Sequence, residues 1–80
     1  MKLTKNFSLE EFESKDGSPM PKDVFFNIQK VANQLQTLRD YICYPIHINS
    51  AYRSPRHNKA VGGVKNSYHL LGMAVDIKIN

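Results

Sequence analysis

The chain holds a single cysteine, Cys43, among 80 residues. One thiol cannot close an internal disulfide, so no disulfide framework offsets the small size, and the redox compartment stays open. The simplest expectation for Cys43 is a buried small hydrophobe. No stretch approaches the ~20 apolar residues of a membrane span. The opening MKLTKNFSLEEF turns polar and acidic before a signal-peptide core can form, which predicts a chain that starts out cytoplasmic. No repeat, low-complexity tract or long linker divides it, so residues 1–80 are read as one domain.

What is present suits a folded domain. Apolar residues make up 41% and charged residues 22%, with four Phe and four Tyr, too apolar a mixture for a disordered chain. A domain this short buries little more than roughly 60% of its unfolded surface, so its core is marginal and a bound metal would help it. Eleven Lys and Arg against seven acids leave a formal charge of +4, compatible with phosphate-rich partners or an anionic envelope. The basic residues are scattered and no base-reading motif accompanies them, so no nucleic-acid partner is expected.

Ser8-Leu9-Glu10-Glu11 reads as a capping box opening a short helix to about Glu13, with Phe7 and Phe12 spaced as a hydrophobic staple. Lys15 to Pro21 is turn chemistry. From Pro21 the residues Val24, Ile28, Val31, Leu35, Leu38 and Ile42 recur at steps of four and three, which predicts one long helix. Ile46, Ile48 and Ser50 alternate with His47 and Asn49 as a short strand. Ser54, Pro55 and Arg56 turn toward one helical turn near Asn58 to Ala60, broken by Gly62 and Gly63. Met73 to Ile79 alternates again and predicts a second strand. The fold class is therefore α+β: a short N-terminal helix, one long helix and a small antiparallel sheet.

One His and one Asp in NSYHLLGMAVDI, His69 and Asp76, could converge on a common point. Gly72 permits a tight turn between them and Ala74 keeps the way clear. Imidazole nitrogen and carboxylate oxygen are donors that zinc accepts. The same spacing also suits an exposed loop histidine and a solvated strand aspartate. Other pairings are weaker. Cys43 and His47 would need a helix that Pro45 interrupts, and Glu10, Glu11 and Glu13 suit a solvated first helical turn better than a general base.

The segment SAYRSPRHNKAVGGVKNSYHLLGMAVDI resembles the core of the M15 peptidases, in particular that of the family's subfamily A. The family motif S-x-H-x-x-G-x-A-x-D is met at Ser67, His69, Gly72, Ala74 and Asp76. A second block, Y-R-S before N-x-x-V-G-G, is met at Tyr52, Arg53, Ser54, Asn58, Val61, Gly62 and Gly63. This resemblance implies a zinc metallopeptidase that hydrolyses peptidoglycan stem peptides, as a D-Ala-D-Ala carboxypeptidase or an L-alanyl-D-glutamate endopeptidase of a bacterial or phage cell-wall hydrolase. It implies that His69 and Asp76 bind Zn2+ and that Arg53 holds a substrate carboxylate or polarises the scissile carbonyl. Ser67 and Tyr52 would then contact substrate or support the ligands. The family's third ligand, a His, and its catalytic acid or base follow the aspartate on a later strand. No general base is therefore assigned in the sequence as written, which ends at Asn80 and is expected to be truncated and catalytically incomplete. A non-catalytic peptidoglycan-binding or structural module is the alternative. Either role would need release to the wall or incorporation into a phage or envelope assembly.

Overall fold

The computed structural model describes residues 1–79. Its order is a 3-10 helix (Leu9–Phe12), α1 (Lys22–Ile42), β1 (Ile46–Ser50), α2 (Pro55–Ala60), a second 3-10 helix (Tyr68–Leu71) and β2 (Asp76–Ile79). This is the expected small α+β arrangement. Among the described residues no helix is long and apolar enough to cross a membrane.

The opening turn forms as the sequence predicts, but as a 3-10 helix of four residues. The Ser8 N–H donates to the Glu11 carboxylate at 2.7 Å, which satisfies a donor with no partner inside the helix. Phe7 and Phe12 meet edge to face, with ring centroids 6.3 Å apart, and both are fully buried. Burying each ring stabilises the fold by about 1.5–3 kcal/mol.

α1 starts one residue after Pro21, whose fixed φ and missing N–H cost nothing at that boundary. It buries Val24, Ile28, Ala32 and Leu35. Val31 and Ile42 pack at the margin, and Leu38, expected on the same face, is 36% exposed. Cys43 ends the helix at φ 59°, its N–H donating to the Arg39 carbonyl. The expectation of a buried thiol is corrected here: Cys43 is exposed, because the residue that caps the helix end lies outside the buried stripe. A non-glycine residue in this left-handed conformation costs about 1–2 kcal/mol.

β1 and β2 pair antiparallel, with Ile46 opposite Ile79, His47 opposite Lys78, Ile48 opposite Ile77 and Ser50 opposite Asp76. The register slips at Asn49, between Ile48 and Ser50, which bends the ladder just before Asp76. A strand over Met73 to Ile79 was expected; the observed strand begins at Asp76. β1 offers five residues, and its last, Ser50, already faces Asp76. Among the described residues, 73–75 have no strand to pair with, and the Met73 N–H turns back to the Tyr68 carbonyl instead. A two-stranded sheet is marginal alone; Ile46 and Ile48 anchor this one in the core with Ala51 and Tyr52.

Candidate metal centre

The second 3-10 helix carries His69. Ser67 precedes it, and its hydroxyl accepts the His69 N–H at 3.1 Å. Gly72 follows at φ 70°, where a β-carbon would stand 2.8 Å from Val24 Cγ1 and 3.0 Å from the Val24 carbonyl. Glycine is therefore required twice over, for the backbone turn and for the close approach to α1. Asn27 of α1 adds a clamp by donating to the Leu71 carbonyl at 2.8 Å. Seated this way, His69 is buried rather than lying in an exposed loop. Its Nδ1 donates to the Ala51 carbonyl at 2.6 Å, and its own carbonyl accepts the Arg53 N–H at 3.0 Å.

Asp76 enters from the sheet. Its Oδ2 lies 3.4 Å from His69 Nε2 and 3.7 Å from the Arg53 guanidinium. With Nδ1 donating to a carbonyl, the neutral ring presents Nε2 as a bare lone pair. A lone pair and a carboxylate oxygen at this distance repel unless positive charge stands with them. Arg53 supplies some of it. Ligands held about 2.0–2.2 Å from a tetrahedral zinc stand about 3.3–3.5 Å from each other, so the observed separation fits two corners of such a site. The carbonyl behind the imidazole is the kind of partner that fixes a metal-binding histidine in its tautomer.

Among the described residues no third His, Cys, Asp or Glu joins this pair. His47 is exposed on β1 opposite Lys78, and His57 sits in α2. Glu10 pairs with the N-terminal amine and Glu11 with the Ser8 backbone.

Arg53 is braced from behind. Asn58, 4% exposed, accepts from Arg53 Nη1 at 3.3 Å and donates to the Val64 carbonyl at 2.9 Å. A β-carbon on Gly63 would fall 2.1 Å from Asn58 Oδ1, so the second glycine of the pair lets the loop close over this amide. The next residue, Ser54, caps α2: its hydroxyl accepts the His57 N–H and donates to Asp16 Oδ2 at 2.7 Å, while its N–H donates to Ser14 Oγ. Asp16 also accepts from Ser14, Ser18 and Arg56. The hydroxyls of Ser14 and Ser54 hold its carboxyl far below the ordinary aspartate range. Tyr52, 4% exposed, lies in the core, and its burial pushes the phenol upward, with the charges of Asp16 and Asp23 adding to the shift.

The structure thus brings His69 and Asp76 together, as their spacing allows, and sets Arg53 beside them, while Ser67 acts on the backbone of His69 and Tyr52 is packed beneath. Sequence reasoning assigned no role to Asn58 or Asp16. Ser14-x-Asp16-x-Ser18 around Gly17 was the available signal for Asp16, since closely spaced Ser and Asp side chains bond locally in turns.

The sequence profile of the Peptidase M15 family matches residues 3–80. The chain belongs to the Peptidase M15 family. No curated protein and no solved structure matches it. The matched span of this M15 domain takes in every element described above, from the Phe7–Phe12 staple to β2, so the His69–Asp76 pair lies inside a peptidase domain.

Proposed function

We propose that this M15 domain is the zinc-binding core of a peptidase acting on peptidoglycan stem peptides, with His69 and Asp76 holding the metal and Arg53 facing the substrate. The observation that carries this reading is the convergence of His69 Nε2, Asp76 Oδ2 and the Arg53 guanidinium, at 3.4 and 3.7 Å. Zinc held there supplies Lewis acidity toward a peptide carbonyl, worth several kcal/mol of charge stabilisation. The Ala51 carbonyl keeps the imidazole oriented by accepting a hydrogen bond from Nδ1–H. Arg53, tethered to Asn58, presents a permanent planar cation that binds a peptide carboxylate or steadies the charge that develops on a carbonyl oxygen. The positive balance of the chain favours approach to anionic wall polymers, within the ~8–10 Å that salt screening leaves.

The test combines zinc titration with a hydrolysis assay on purified muropeptides. Zinc-dependent release of a stem-peptide fragment, lost in Asp76→Asn, supports a peptidase. Zinc uptake and peptide binding without cleavage assign the chain instead to a peptidoglycan-binding module on the same fold. Failure of both zinc and peptide to bind would refute the proposal.

A further inference from the structure

Beside the Arg53, His69 and Asp76 cluster lies a cleft of about 320 Å³ lined by Pro55, Asn58, Lys59, Gly63, Lys65 and Leu70. It adjoins the site through two residues. Asn58 is the amide that braces Arg53, and Leu70 follows His69 on the same 3-10 helix. The volume is at the lower end of the roughly 300–1,000 Å³ typical of small-ligand sites, room for one amino-acid side group. Its chemistry is one-signed: two lysines and no acid line it. Among the described residues neither Lys59 nor Lys65 has a carboxylate within 4.0 Å, whereas Arg53 and Arg56 each do. Lysine stems lie along apolar surface and leave their ammonium heads free, so Pro55, Leu70 and the stems form an apolar lining with two cations available to a guest.

We propose that this cleft is an acid-recognising subsite, taking a carboxylate-bearing side group of the same peptide that Arg53 faces. The inference rests on the peptide-binding reading above and adds a preference to it: acidic over amidated residues at one position of the stem. Two ammonium groups on one cleft favour a carboxylate over the isosteric amide by about fivefold, the scale of partly exposed charge pairs.

The experiment titrates the full chain with the tripeptide L-Ala-γ-D-Glu-L-Lys, its D-Glu α-carboxylate either free or amidated, followed by backbone amide chemical shifts. The free acid binds about fivefold more tightly, and shifts concentrate at residues 58–70. In Lys59→Gln/Lys65→Gln the preference falls within twofold, while the amidated peptide binds as before. A control of equal net charge, Lys5→Gln/Lys30→Gln, keeps the preference; its loss there would trace the effect to overall charge and overturn the proposal. Equal binding of both peptides to the unaltered chain overturns the subsite and leaves the peptide-binding reading standing. Binding of neither removes both.

Discussion

His69 Nδ1 donates to the Ala51 carbonyl at 2.6 Å, tying the second 3-10 helix to the residue just past β1 across 18 positions of sequence. A carbonyl only accepts, so the proton is fixed on Nδ1 and Nε2 is the face turned to Asp76. The expected outcome is direct. Long-range nitrogen-proton spectra of the metal-free chain, recorded where the ring is neutral, show His69 as the Nδ1–H tautomer. An Nε2–H tautomer would remove the lone pair on which metal binding depends.

Gly72→Ala meets two obstacles together, a left-handed φ and a contact with Val24. Backbone strain of about 1–2 kcal/mol adds to overpacking of about 1–3 kcal/mol. At roughly 4–8 °C per kcal/mol for a domain of this size, the melting temperature falls by about 8 °C or more. A fall of only a degree or two in calorimetry would mean that the turn does not sit against α1 as described.

Asn58 and Gly63 are coupled by the approach that a β-carbon on Gly63 would turn into a collision. Asn58→Ala alone leaves Val64 O and the Arg53 guanidinium short of a partner and costs about 1–3 kcal/mol. Gly63→Ala in the Asn58→Ala background then costs less than in the unaltered chain, because the atom it would strike is gone. Urea denaturation of the four proteins reads the coupling, expected at about 0.5–3 kcal/mol. Strict additivity would deny the contact.

Asp16 gives a pH signature. Its carboxyl is held below the ordinary aspartate value of 3.8 by the hydroxyls of Ser14 and Ser54. A depressed value in the fold means that the stabilisation is fully present above the unfolded value and disappears as pH falls through the folded one. The stability difference between the unaltered chain and Asp16→Asn is therefore constant from pH 7 to about pH 5 and narrows steadily below about pH 4. A difference that does not change down to about pH 2.5 would contradict the hydrogen-bonded, ionised carboxylate.

Much of this was legible in the sequence where periodicity or a side-chain pattern carried it. Val24, Ile28 and Leu35 announce α1, Ile46 and Ile48 announce β1, and Ser8 with Glu11 marks the first turn. The start of β2 was not legible, because alternation continues through Met73 and Val75 while the limit is the length of β1, a property of the partner strand. The exposure of Cys43 follows from where the helix stops, a boundary that periodicity leaves loose. At the site, residue types and spacing pointed to His69 and Asp76, and the resemblance to the M15 peptidases added Arg53. The partner that orients His69 is a backbone carbonyl, and no side-chain pattern encodes it. Asn58 stands in the N-x-x-V-G-G block, but its bracing of Arg53 emerges only when the loop folds back over it.

The most direct test is metal content. In equilibrium dialysis against zinc, the unaltered chain binds the metal. His69→Ala and Asp76→Asn each lose it, while far-UV circular dichroism shows α1 intact. Asp76 lies at the exposed edge of the sheet, so its substitution leaves the core untouched. Undiminished zinc in both folded variants would show that the 3.4 Å pairing of His69 and Asp76 is an ordinary ion pair and that the metal, if any, sits elsewhere.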